Sequence, residues 1–141
     1  MAILSLPTPP DLADPATLLS NPARVAQVGS KAYLRVARIW ALDSATAAEL
    51  IAVSPRTWAR IKAGGWSGRL SQDQTMRISA IIGLFKALHL YFGESLADQW
   101  VSLPNSGPLF KGLTPLAFMK AGGLPALLET RNYVDALRGG I

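Results

Sequence analysis

Ala47-Ala48-Glu49-Leu50-Ile51-Ala52-Val53-Ser54-Pro55-Arg56-Thr57-Trp58-Ala59-Arg60-Ile61-Lys62 reads as two short helices joined by a tight turn, and this stretch decides the fold. Ala48 is small enough to let the two helices approach closely, while Leu50 and Val53 fill the angle between them. Ser54-Pro55 starts the second helix abruptly, because serine caps free N–H groups and proline needs none at the first helical position. Trp58 and Ile61, three apart, share the side that should face a core. Arg56 and Arg60, one turn apart, fall with Thr57 on the outer face near the helix N-terminus. That is the grammar of a helix-turn-helix, whose second helix presents its first residues to the major groove of DNA. Arginine suits guanine edges and phosphates, so Ser54, Arg56, Thr57, Arg60 and Lys62 are the candidate DNA-binding residues. The alternative is a helical hairpin with merely solvated arginines. Ala52 also stands where many such motifs carry a turn glycine.

Working outward, Asn21-Pro22 supplies a cap and a first-turn proline for a helix in which Val25, Val28, Ala32, Val36 and Ile39 recur three or four apart, ending near Leu42. Ser44 or Thr46 is expected to cap the short helix Ala47 to Ala52, and Gly64-Gly65 to stop the next one. Ser71-Gln72-Asp73-Gln74 matches a capping box and opens a long helix ending at Gly93. Met76, Ile78, Ile81, Ile82, Phe85, Leu88, Leu90 and Phe92 make that helix apolar around most of its circumference, which predicts the buried centre of the molecule. His89, alone inside this run, is expected to pack rather than to catalyse. Glu94 to Leu103 reads as another helix carrying Trp100, followed by the turn cluster Pro104-Asn105-Ser106-Gly107-Pro108 and a loop to Leu113. Thr114-Pro115 opens a short helix ending at Gly122-Gly123, and Pro125 opens a last one running to about Leu137.

Strand signals are scarce, so the expected fold is all-α: an N-terminal helix-turn-helix bundle with a C-terminal helical module. The expected organisation is a flexible arm over 1–22, a helix-turn-helix domain over 23–93 and the C-terminal domain over 94–141. At 141 residues, 50% hydrophobic and 16% charged, the bulk of the chain is not a disordered polyelectrolyte. With no Cys and one His there is no thiol nucleophile, disulfide or thiolate metal site to consider, and a His-rich metal cluster is excluded. No serine sits in a His-acid grammar and no glycine loop has a phosphate-cradling form, so neither catalysis nor a cofactor is expected. The longest apolar run, Ile78 to Phe92, is short for a bilayer and is interrupted by Lys86 and His89, so no membrane span is expected. Met1 to Pro10 lacks a basic n-region and holds three prolines, which predicts an unprocessed cytoplasmic chain.

The net charge of +5 is lopsided. Residues 1 to 70 carry eight basic against four acidic side chains, the remainder six against five. A basic N-terminal half is compatible with a polyanionic partner, although such an excess is also common on ordinary solvated surfaces.

The order of motifs over roughly residues 30 to 141 resembles the Xre/MbcA/ParS antitoxins of bacterial RES-type (type II) toxin–antitoxin systems. Three pieces carry the resemblance. They are the helix-turn-helix through Val53-Ser54-Pro55-Arg56-Thr57-Trp58; Leu70-Ser71-Gln72-Asp73-Gln74 with the long helix ending Tyr91-Phe92-Gly93; and a C-terminal module. That module reads Trp100, Pro104-Asn105, Gly112, Thr114-Pro115-Leu116, Gly122-Gly123 and Tyr133-Val134-Asp135-Ala136-Leu137-Arg138-Gly139-Gly140. The resemblance implies a bacterial inhibitor rather than an enzyme. Its N-terminal part would bind operator DNA or mediate assembly, and its C-terminal module would grip a RES-domain toxin that degrades NAD or transfers ADP-ribose from it.

In that family the C-terminal segment lies over or enters the toxin's NAD site. By this resemblance Trp100, Arg131, Tyr133, Asp135, Arg138, Gly139 and Gly140 are the candidate toxin-binding residues. Met119-Lys120-Ala121 departs from the pattern of many relatives, which have an acidic residue before the glycine, and no toxin contact is assigned there. From the residues alone, Trp100 reads as core packing, Tyr133 as either packing or contact, and Gly139-Gly140-Ile141 as a frayed end. Arg138 in the last turn also offsets the helix dipole. A homodimer is expected, because the helix Ile78 to Phe92 offers more apolar surface than one neighbour buries and helix-turn-helix proteins read paired half-sites. The competing reading is a stand-alone transcriptional regulator with a C-terminal dimerisation domain.

Overall fold

The computed structural model describes residues 21–138, and every regular element among them is helical. In chain order they are α1 (Pro22–Ile39), α2 (Ser44–Leu50), α3 (Pro55–Ala63), α4 (Gln72–Tyr91), α5 (Glu94–Gln99), a 3₁₀ turn (Trp100–Ser102) and α6 (Pro115–Arg138). The arm expected over 1–22 lies outside the described residues as far as position 20. None of the described helices is long and apolar enough to cross a membrane.

Side chains placed at the helix starts take up the N–H groups that a first turn leaves unpaired. The Asn21 side chain accepts the Arg24 N–H at 3.2 Å. Ser71 and Gln74 form the expected capping box, with bonds of 3.0 and 2.8 Å. At α2 the cap is neither Ser44 nor Thr46 but Asp43, which accepts the Thr46 N–H at 2.7 Å, so the helix starts earlier than expected. A carboxylate is a strong cap, and the Thr46 N–H, followed by the Thr46 hydroxyl, holds Asp43 below the usual carboxylate range.

The ends of α1 and α2 repeat one device. Leu42 N–H reaches the Ala37 carbonyl and Val53 N–H the Ala48 carbonyl, at 3.0 and 3.1 Å, closing Schellman turns around Ala41 (φ 55°) and Ala52 (φ 56°). These turns stop α1 at Ile39, short of Leu42, and α2 at Leu50, short of Ala52. Both place alanine in the left-handed region where glycine is at ease. Ala52→Gly is therefore expected to raise the unfolding free energy by about 0.5–1 kcal/mol, seen as a higher urea midpoint at constant m-value. An unchanged or lower midpoint would show that the turn carries no strain.

The central role expected for the long helix is observed. Ile78, Ile81, Leu84 and Leu88 of α4 are buried against α1, α5 and α6, which contribute Tyr33, Val36, Ala97, Met119, Leu127 and Val134 to the same core. One core thus spans both sides of residue 93. Three neighbours cover α4 instead of one, and its exposed apolar side chains are confined to its ends: Met76, Leu90 and Tyr91. His89 sits between acceptors, with Nδ1 2.9 Å from the Phe85 carbonyl and Nε2 2.7 Å from Asp98 Oδ1, and it ties the end of α4 to α5.

The helix expected over Glu94 to Leu103 tightens into the 3₁₀ turn at Trp100 and ends there. The loop beyond is closed by Asn105, whose backbone pairs with Leu113 and Gly112 and whose side chain accepts the Gly107 N–H at 2.8 Å. α6 is broken at Gly123 (φ 65°, ψ −149°), which separates the short helix and the last helix expected there. Only glycine holds that geometry cheaply, and Pro125 restarts the helix behind it.

Candidate functional site

The angle between α2 and α3 is held from beneath. Trp58 (2% exposed) and Ile61 fill the core side of α3, and Trp58 meets the edge of Tyr33 at 5.4 Å between ring centroids. Tyr33 donates its hydroxyl to the Ala47 carbonyl at 2.7 Å, and burial pushes its phenol pKa well up, so it stays a neutral donor joining α1 to α2. From α4, Gln74 donates to the Ala52 carbonyl at 2.8 Å, and Arg77, paired with Asp73, reaches the Leu50 carbonyl at 3.4 Å. The helix-turn-helix is therefore a rigid platform, and its presented face is set by the packing beneath it.

That face is basic. Arg56 and Arg60 are exposed beside Ala59 and Ala63, and neither is ion-paired among the described residues. The other three candidates are placed differently. Ser54 Oγ accepts the Thr57 N–H at 3.0 Å and donates to Thr57 Oγ1 at 3.1 Å, so this pair builds the start of α3. Lys62 turns to the flank, where its ammonium donates to Ser44 Oγ at 2.6 Å. Lys31, Arg35 and Arg38, exposed on the outer side of α1, were not singled out from the sequence. Their spacing of four and three is a one-sided helical stripe, and that is the signal that marks them.

The C-terminal candidates divide between two sides of α6. Trp100 (8% exposed) stacks on Phe92 and Tyr133, both at 6.4 Å, and meets Phe110 edge-on at 5.7 Å. Tyr133 is half-buried, also edge-on to Phe110 at 5.2 Å, and its hydroxyl lies against Gly107, where an added Cβ would come within 3.2 Å. Arg131, two residues earlier, lies on another face of the helix. Its guanidinium covers Gly83, and its Nε is 3.8 Å from Asp135. The structure thus joins Trp100 to Tyr133, and Arg131 to Asp135, without bringing the two pairs together. Arg138 ends α6 with its side chain outside the described residues, and Gly139 and Gly140 also lie outside them.

Residues 21–83 match the antitoxin Xre-like helix-turn-helix domain, an interval that runs from the cap of α1 to the middle of α4. The chain is also 34% identical over 112 residues to the uncharacterized protein y4oB of Sinorhizobium fredii, across 78% of this chain and 84% of that one. Residues 21–83 are thus an antitoxin Xre-like helix-turn-helix domain, and the chain as a whole is a relative of y4oB. No solved structure matches the chain. This domain is that of an antitoxin or a helix-turn-helix regulator. α3 is the second helix of this helix-turn-helix, and Arg56 and Arg60 are exposed cations on it.

Proposed function

We propose that the protein is the antitoxin of a RES-domain toxin, neutralising it through the C-terminal module and repressing its own operon through α3. The observation that carries the DNA half is the pair Arg56 and Arg60, exposed and one turn apart on a helix locked by Trp58 and Ile61 within a matched Xre-like domain. The toxin half is supported by that family and by the order of motifs from Trp100 to Arg138. Self-association is favoured by the apolar side chains left around the α4–α5 corner, where Leu90 is 69% exposed beside Tyr91 and Leu96. The same patch favours the second reading, a stand-alone regulator that dimerises.

Co-expression with a RES-domain protein encoded beside it, followed by co-purification and light scattering of the product, separates these readings. A stable complex containing two copies of this chain supports the antitoxin dimer. An inert mixture leaves the stand-alone regulator. For the DNA half, Arg60→Ala is expected to weaken specific binding to the upstream DNA by about 1–3 kcal/mol while leaving the fold intact. Unchanged affinity in a gel-shift series at fixed salt would remove Arg60 from the readout.

A further inference from the structure

α1 contains no acidic residue. At about 100° per residue, Lys31, Arg35 and Arg38 fall within a sector of roughly 60° on the side opposite the buried Tyr33, Val36 and Ala37. Lys31 and Arg38 reach the edge of an open groove of about 260 Å³ between α1 and the end of α3, and Lys62 reaches it from the α3 side. Gln27, Ser30, Gly64 and Gly65 line the rest of it together with the apolar Leu34, Ile61 and Trp66, and no carboxylate does. The acidic side chain at the start of the adjoining α2, Asp43, is occupied as the cap on the Thr46 N–H.

Three cations converging on one groove without a counter-charge repel one another, and an anion seated among them relieves that repulsion. Gly64, Gly65 and Trp66, at the end of α3, line both this groove and the adjoining hollow that Arg60 lines, so the groove borders the outward face of α3. An anion beside that face, when α3 is in a major groove, is a phosphate of the flanking strand.

We infer that the groove between α1 and the end of α3 seats the DNA backbone, with Lys31, Arg38 and Lys62 on its phosphates. The inference rests on the DNA half of the proposed function and assigns α1 a direct part in it. These contacts carry no sequence information. They set affinity, register and salt dependence, whereas Arg56 and Arg60 face the base edges.

The test uses the full-length protein and a duplex of arbitrary sequence, with anisotropy titrations between about 50 and 200 mM salt, where each phosphate contact contributes about 0.9 to the slope of log affinity against log salt. Lys31→Gln/Arg38→Gln is expected to flatten that slope by about 1 to 2 and to weaken binding equally on all sequences. Both positions are exposed, and circular dichroism checks that the variant is folded. Lys86→Gln/Lys111→Gln removes the same charge elsewhere and is expected to leave the slope near wild type. An unchanged slope in the first variant, or equal flattening in the second, overturns the inference. The parent reading fails differently: if the wild-type protein shows no salt-dependent duplex binding, the DNA half falls with its phosphate groove. If wild type binds, Arg60→Ala loses discrimination and the α1 variant is indistinguishable from wild type, only the groove is lost.

Discussion

Trp100→Ala is expected to lower the unfolding free energy by about 3–5 kcal/mol, the usual cost of emptying a large aromatic site. The indole lies among three rings, stacked on Phe92 and Tyr133 and edge-on to Phe110, so its removal opens a cavity where the 3₁₀ turn meets α6. Phe110 is fully buried and also meets Phe118 edge-on at 5.4 Å, so the loss propagates to the first arm of α6. Trp100→Phe keeps a ring for stacking and should cost clearly less. Urea unfolding of both variants checks the ordering. A Trp100→Ala cost below about 1 kcal/mol would show that the ring is not a core element, and would return it to the candidate partner surface.

This result also bears on the partner interface. A variant at Trp100 or Tyr133 that fails to neutralise a toxin has an explanation inside the monomer, because the two rings stack on each other and Tyr133 packs beside Gly107. Loss of neutralisation at these positions is informative only when stability is measured on the same variant.

The helix boundaries were legible wherever a local signal acts alone. Asn21-Pro22, Ser54-Pro55 and Ser71 to Gln74 each satisfy N–H groups by neighbouring side chains, and the corresponding helices start there. The inward side of α3 was legible for a similar reason, since the spacing of Trp58 and Ile61 has one helical interpretation. The helix ends were less so, because Ala41 and Ala52 close turns that ordinarily advertise themselves by glycine. Nothing in an alanine announces positive φ. The strength of an N-cap also depends on which oxygen the chain brings into reach, and at α2 that was Asp43.

The site was legible by position and not by contact. A helical wheel puts Arg56, Thr57 and Arg60 outside, but it does not reveal that Thr57 is engaged by Ser54 or that Lys62 is drawn to Ser44, because Ser44 lies 18 residues away in sequence. Likewise Trp100 and Tyr133 are brought together only by the return of α6 across α4. The α1 stripe was visible as spacing, yet its relation to α3 depends on how α1 crosses the helix-turn-helix.

Shortening the chain after Leu137 is expected to abolish neutralisation of the cognate toxin while leaving the fold and DNA binding nearly untouched. The position of the cut follows from the packing of α6. Val134 is fully buried, Leu137 is half-buried, and Asp135 lies 3.8 Å from Arg131, so a cut after Val134 would remove contacts of the monomer together with any contact to a partner. A cut after Leu137 takes only Arg138, Gly139, Gly140 and Ile141, and its effect on stability should stay within about 0.5 kcal/mol. Under the proposed reading those residues reach the toxin's NAD site. Arg138 there meets carboxylates or takes space that the dinucleotide needs, and losing such an anchor costs at least about 2 kcal/mol, or more than tenfold in complex affinity. The measurement is growth rescue and NAD level in cells producing the toxin with each variant, beside thermal unfolding of the purified protein. Arg138→Ala in the full chain is the milder form and should fall between wild type and the shortened protein. Full rescue by the protein ending at Leu137 would sink the terminal mechanism, because an inhibitor that works without those residues must hold the toxin through surface described elsewhere in the module. The loop from Pro104 to Gly112 is then the place to look, since Pro104, Ser106 and Pro108 are exposed there while Phe110 anchors it to the core.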